Sequence, residues 1–282
     1  MAAPQSGAAQ GGAPSVGAAL RDARLPALES RMLVSAATGL SAAGLHAHPE
    51  RLLGTDEAAR LESWIGRRAA GEPMAYLLGR REFHGRDFEV SPAVLIPRPE
   101  TELLVELALQ RLAPQARVLD LGTGSGCIAI SLACERSDLE VHALDLSDAA
   151  LAVARRNAAR HGATVQWWQS DWYQALPAAL RFDLIVANPP YIAAGDVHLS
   201  QGDLRFEPAA ALTDGADGLT ALRHIIATAP GRLMAGGGLL LEHGYDQAAA
   251  VRARLRAAGF DGVRSTPDLA GIERVSGGDW PS

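Results

Sequence analysis

Short segments of this 282-residue chain carry residue types able to do chemistry, and the first is Val118-Leu-Asp-Leu-Gly-Thr-Gly-Ser-Gly126. It reads as a strand running into a tight glycine turn and then a helix that begins near Cys127. Glycine lets a backbone approach a ligand closely. The helix N-terminus behind the turn offers free N–H groups and partial positive charge, suited to a phosphate or a carboxylate. A nucleotide-like cofactor is implied, with Gly122, Thr123, Gly124, Ser125 and Gly126 as its candidate contacts. Asp145 closes the next strand, nineteen residues after Gly126, where an acidic side chain can accept hydrogen bonds from both ribose hydroxyls. Ser147 and Asp148 follow and can cap the next helix themselves, which leaves Asp145 for another partner.

After the third strand, Asp171 and Trp172 can bracket an adenine by hydrogen bonding and stacking, although Trp172 also suits a core position. A nicotinamide dehydrogenase and a methyltransferase both fit up to this point. The fourth strand separates them, because it ends Asn188-Pro189-Pro190-Tyr191, and two prolines cannot continue a sheet ladder. Asn188 is thereby presented beside the cofactor. Its amide oxygen and the Pro189 carbonyl can together accept two hydrogen bonds from an incoming –NH₂ group. Tyr191 offers a flat face for a planar amide or base. The bland alternative, a mere loop, does not account for its coincidence with the glycine turn.

Composition removes whole classes of function. All 26 basic residues are arginine, so a Walker-A phosphate loop, a kinase of the usual design and lysine Schiff-base chemistry are excluded. The formal charge of −6 argues against a protein whose main task is neutralising nucleic-acid phosphates. Hydrophobic residues at 48% and charged residues at 21% suit a soluble globular chain with a sizeable core. No apolar run is long enough to span a bilayer and no secretory leader is visible, so a cytoplasmic location is expected. Cys127 and Cys134 fall on one helix face and read as apolar fillers. The histidines show no metal-ligand spacing beyond His46 and His48, and no metal is expected.

The elements that must position these residues read as follows. Residues 1–17, mostly Ala, Gly, Pro, Gln and Ser, cannot offset the entropy of ordering and are expected to be a disordered tail. Residues 18–73 form a small helical domain, in which Thr55 caps a helix with Ala58, Leu61, Trp64 and Ile65 on its apolar stripe. Residues 74–97 fit a hairpin linker. From residue 98 to 282, strand-like runs (Val118–Leu121, Val141–Leu146, Val165–Trp168, Leu184–Ala187, Leu239–Glu242) alternate with helical patterns, which predicts a parallel, doubly wound α/β sheet.

The chain resembles the HemK/PrmC family, the release factor glutamine methyltransferases, over roughly residues 25–278. Besides Asp120–Gly126 and Asn188–Tyr191, the segments Gly71-Glu-Pro73, Arg81-Glu-Phe83 and Ile96-Pro-Arg-Pro-Glu-Thr-Glu102 carry the resemblance. It implies an N-terminal helical bundle, a hairpin linker and a seven-stranded class I (Rossmann-like) methyltransferase domain. It also implies S-adenosylmethionine held by Gly122–Gly126, Asp145, Trp172 and Asn188, with Arg98, Pro99 and Glu100 flanking the pocket. Asn188, Pro189, Pro190 and Tyr191 would hold the glutamine of the Gly-Gly-Gln motif of a release factor and orient its weakly nucleophilic amide. One rival is methylation of an exocyclic amine on a nucleic-acid base, using the same clamp after base flipping; acidity and the missing lysines weigh against it. The other rival is a binding module that has lost catalysis, which the intact loop, acid and clamp disfavour.

Overall fold

The computed structural model describes residues 13–22 and 24–282, and its first helix starts inside the stretch whose composition predicts a tail. Ser15 caps helix α1 (Val16–Leu20) by accepting from the Ala18 N–H. Val16 is fully buried, and its N–H donates to Arg51 O at 2.8 Å while Leu53 N–H donates to Pro14 O at 2.9 Å. One apolar side chain and one capping residue thus anchor residues 13–17, contrary to the compositional reading. Residues 1–12 of the expected tail lie outside the described residues.

The chain divides into two compact units, residues 1–78 and 79–282. The first contains α1, α2 (Ala27–Thr38), α3 (Ala42–Ala47), α4 (Thr55–Ala69) and α5 (Met74–Leu78). Leu33, Val34, Leu45, Leu61 and Ile65 form its core, with Ala58 and Trp64 packed beside them, so the expected stripe of α4 faces inward. The cap differs by one residue: Gly54 is the N-cap, Thr55 is already helical, and the Glu57 carboxylate reaches back to Gly54 N–H at 2.9 Å. The unit also extends past Pro73, because Leu77 joins the core and Met74 and Leu78 pack against it. A five-residue helix is too short to reveal itself by periodicity.

The second unit opens with the hairpin β1 (Arg80–Phe83) and β2 (Arg86–Glu89), turned by His84 and Gly85, both at positive φ. Its Phe83 and Phe88 are buried in the core of the second unit and meet edge to face at 6.1 Å. The hairpin is therefore part of that unit, where the sequence suggested a linker of residues 74–97. Next come α6 (Glu102–Arg111), β3 (Arg117–Leu121), α7 (Cys127–Glu135), β4 (Glu140–Asp145), α8 (Asp148–His161), β5 (Gln166–Gln169) and β6 (Phe182–Ala187). The chain continues through α9 (Ala209–Leu212), α10 (Thr220–Thr228), β7 (Leu233–Glu242), α11 (Ala248–Ala257), β8 (Asp261–Pro267) and β9 (Glu273–Asp279).

These strands form a seven-stranded sheet in the order β5-β4-β3-β6-β7-β9-β8. The first five are parallel, whereas β9 runs antiparallel to both β7 and β8. The sheet is thus mixed rather than wholly parallel. Alternate residues feed two cores: Val118, Val141, Leu184 and Leu240 on one side, and Leu119, Leu144, Ile185, Leu239 and Leu241 on the other. Strand order reverses between β3 and β6, and at such a switch point the loops leaving the carboxyl ends of the strands part to open a crevice.

Candidate active site

The glycine turn leaves β3 at this crevice, and its residues divide into two groups. Gly122 and Gly124 have φ of 71° and 55° and line a cavity of about 300 Å³. A Cβ built on Gly124 would meet nothing within 4 Å, so the space that a side chain would fill is open to a ligand. Gly126, at φ 82°, faces protein instead: a Cβ there would stand 2.8 Å from Ile130 Cδ1 and 3.1 Å from Ala154 Cβ. Thr123 and Ser125 are buried and, like Gly126, are not among the residues lining the cavity. Thr123 donates its hydroxyl to Asp120 Oδ2 at 2.6 Å, and the Ser125 carbonyl accepts from Asn157 Nδ2 at 2.9 Å. Asn157, on α8, also accepts from Glu89 N–H at 2.7 Å, tying the turn to the hairpin. It is invisible as a functional residue in the sequence.

Asp120 is fully buried at the strand end, and burial pushes its carboxyl up to about 7. Asp145 lines the cavity, with Oδ2 accepting from Gly124 N–H and Oδ1 from Ser147 N–H, both at 2.9 Å. Burial raises its pKa and the backbone donors partly offset this. Ser147 caps α8 by accepting from Ala150 N–H, as its position suggested. Asp145 therefore both anchors the glycine turn and keeps lone pairs toward the cavity. Asp171 and Trp172 line the same cavity, and Trp172 holds a positive φ of 48° while packing partly against the second core.

The remaining wall comes from Ala93, Val94 and Leu95 and from Pro208, Ala210 and Ala211. These two segments are clasped by Glu207, whose buried carboxylate accepts from Ile96 N–H at 2.9 Å and pairs with Arg98. Apolar walls, one indole, two carboxylates and no basic side chain among the lining residues fit a ligand rich in hydrogen-bond donors and carrying positive charge. S-adenosylmethionine, with an adenine, a ribose diol, an ammonium and a sulfonium, has this chemistry.

Asn188 lines the cavity where β6 ends. Its Nδ2 donates to Thr101 Oγ1 at 3.1 Å, so its Oδ1 is the end turned away from that bond. Pro189 is buried, Pro190 lines the cavity, and Tyr191 lies beyond it, partly buried against the second core. The Tyr191 hydroxyl donates to Glu242 Oε1 at 3.4 Å, and its carbonyl accepts from Gln247 Nε2 at 3.0 Å. Burial and the Glu242 charge raise the Tyr191 hydroxyl pKa. Thr101, Glu207 and Glu242 are functional neighbours that sequence reasoning missed. Thr101 stands in the Ile96–Glu102 segment and Glu242 ends a strand run, which is the only signal either residue gives.

Among the described residues no cluster of metal-ligating side chains occurs. Sheet order, glycine turn and cavity together define an S-adenosylmethionine-dependent methyltransferase of class I. Comparison with known proteins agrees: residues 99–215 match the family described as Methyltransferase small domain, and residues 16–79 match the PrmC N-terminal domain. Release factor glutamine methyltransferase of Bordetella pertussis is 58% identical over 92% of this chain and 97% of its own. The protein of that name from Neisseria gonorrhoeae is 50% identical over 91% and 94%. A methyltransferase structure from Pyrococcus furiosus shares the fold, with a TM-score of 0.55 at 18% identity over 78% of this chain and 98% of that one. The chain belongs to the release factor glutamine methyltransferase family.

Proposed function

We propose that this protein transfers a methyl group from S-adenosylmethionine to the side-chain amide nitrogen of the glutamine in the Gly-Gly-Gln motif of a peptide chain release factor. The observation that carries the reading is the Asn188 amide, held through Nδ2 by Thr101 with its oxygen left for an incoming donor at the cavity. An amide nitrogen is a poor nucleophile because its lone pair is delocalised into the carbonyl, so the task is orientation more than deprotonation. Asn188 Oδ1 and the Pro189 carbonyl would each take one N–H of the glutamine amide and favour a pyramidal, more electron-rich nitrogen. The Tyr191 ring would support the amide plane. When bound, S-adenosylmethionine would supply an electrophilic sulfonium methyl for the amide nitrogen, would itself depart as the neutral thioether, and would leave the nitrogen one proton to shed to water. Gly122, Gly124, Asp145, Asp171 and Trp172 would hold the donor so that attack is in line, which converts an encounter into a positioned step.

A glutamine side chain is too common to identify one protein, so contacts remote from the amide must supply specificity. We assign that role to the helical unit, residues 1–78. Removing it should raise KM for a folded release factor more than for a short Gly-Gly-Gln peptide; equal losses for both would refute the assignment. A cytoplasmic location is part of the same proposal, since its substrate would work in translation; separately, no helix among the described residues is long and apolar enough to cross a membrane. The test of the activity is mass spectrometry of a release factor incubated with the enzyme and S-adenosylmethionine. One added methyl on the motif glutamine is expected. Asn188→Ala should fold normally and lower kcat by about 100-fold or more; near-normal turnover by this variant would remove the clamp from the mechanism.

A further inference from the structure

The two ends of an asparagine amide are almost the same shape and opposite in hydrogen-bonding character. With its oxygen outward, Asn188 accepts from a substrate –NH₂; with its nitrogen outward, it opposes one. Thr101 cannot select between these states alone, since a hydroxyl both donates and accepts. An obligate acceptor behind Thr101 would select. Glu242 stands in that place. It ends β7, where Leu241 pairs with Ala187 of β6, so Glu242 and Asn188 follow neighbouring positions on adjacent strands. Its side chain is buried at 1% exposure, its Oε1 takes the Tyr191 hydroxyl at 3.4 Å, its Oε2 has no formed hydrogen bond and is left for a donor, and the Thr101 hydroxyl is near enough to hold its pKa down.

We propose that Glu242 and Thr101 are positioning residues that set the direction of the Asn188 amide. The Thr101 hydroxyl hydrogen is drawn to the Glu242 carboxylate, its oxygen is left to accept from Asn188 Nδ2, and Asn188 Oδ1 faces the substrate nitrogen. The same carboxylate takes the Tyr191 hydroxyl at 3.4 Å, so one buried acceptor registers both the amide and the ring of the clamp. This inference rests on the substrate reading above. It assigns function to a residue outside the Asn188–Tyr191 motif and on a different strand.

A carboxylate is acceptor-only while ionised, and protonation turns it into a donor. Burial pushes Glu242 up to about 7. The charged and titratable groups facing it are Arg274 of β9, which lowers it, Glu100, which raises it, the Tyr191 phenol, and the Cys127 thiol of α7. Once protonated, Glu242 can donate to Thr101 Oγ1 and release the Thr101 hydrogen toward Asn188, which favours the reversed amide. Turnover should therefore fall as pH drops through about 7.

The experiment measures kcat, KM and cofactor affinity for methylation of a folded release factor by the full-length enzyme and its variants. Thr101→Val and Glu242→Gln keep shape; both should lower kcat by about 10–100-fold, with S-adenosylmethionine affinity essentially unchanged by calorimetry. Thr101→Ser, which restores the hydroxyl, should recover most of the rate. The acid limb should be present in the unaltered enzyme and in Thr101→Ser, and absent in Glu242→Gln. Should Thr101→Val fail to fold, the pH profiles of the unaltered enzyme and Glu242→Gln decide. An unaltered enzyme that methylates the factor while Thr101→Val and Glu242→Gln do so equally fast, or shows no acid limb, overturns the relay alone. Failure of the unaltered enzyme to methylate any release factor overturns the substrate reading and this inference with it.

Discussion

Replacing Gly124 or Gly126 by alanine should produce opposite defects from positions two residues apart. Both glycines have positive φ, 55° and 82°, so each alanine bears the left-handed backbone cost of about 1–2 kcal/mol. At Gly124 that is the whole structural cost, because a Cβ meets nothing within 4 Å. At Gly126 the methyl arrives 2.8 Å from Ile130 Cδ1 and 3.1 Å from Ala154 Cβ. The isoleucine tip can swing, but the alanine is fixed to α8, so overpacking adds about 1–3 kcal/mol. Gly126→Ala should therefore lose about 2–5 kcal/mol in urea unfolding and roughly 5–15 °C in Tm. The fraction that folds should bind S-adenosylmethionine close to normally. Gly124→Ala should stay within about 2 kcal/mol of the parent while its new methyl enters the cavity and weakens cofactor binding by at least about tenfold, or 1.4 kcal/mol. Calorimetry at a temperature where both variants are folded separates the outcomes. Equal stabilities, or normal cofactor binding by Gly124→Ala, would refute the division of the turn into a ligand-facing and a protein-facing glycine.

Other consequences of the site can be measured as directly. Asp145→Ala should weaken S-adenosylmethionine binding by about 1–3 kcal/mol, the usual cost of losing hydrogen bonds to a charged group; unchanged affinity would take Asp145 out of the ribose site. Cofactor affinity and turnover should be the same with and without a strong chelator, given that no metal-ligating cluster occurs among the described residues, and a chelator-sensitive affinity would show that a metal takes part.

Much of the site is legible in the sequence because its signals are local. The glycine turn, Asp145 and Asn188–Tyr191 each declare themselves within a few residues, since turn geometry and strand ends are decided by neighbours in the chain. Thr101 and Glu242 do not, because what they touch lies 87 and 51 residues away, and a single Thr or Glu carries no mark of a distant partner. The local signal also misleads within the turn: Thr123 and Ser125 look like ligand contacts by position, yet their side chains serve Asp120 and the core. In the fold, the five parallel strands announce themselves by apolar runs. Strand β8, at the sheet edge, and β9, between β7 and β8, are rich in polar residues and glycine, and the buried middle of β9 is built from Ser276, Gly277 and Gly278 beside a single valine, so no apolar run marks either strand. Ser15 and Val16 make the same point at the other end of the chain, where a composition average hides a cap and a buried valine.

The Glu207 clasp joins segments 111 residues apart in sequence, and each supplies one wall of the cofactor cavity. A cavity walled by both segments needs both in place, so cofactor affinity is expected of the folded unit. A ligand that binds the folded state alone shifts the folding equilibrium by mass action, by about 2.7 kcal/mol at a hundredfold excess over Kd. Bound S-adenosylmethionine should therefore raise the unfolding free energy of its own enzyme, and the enzyme short of its donor should unfold and be proteolysed more readily.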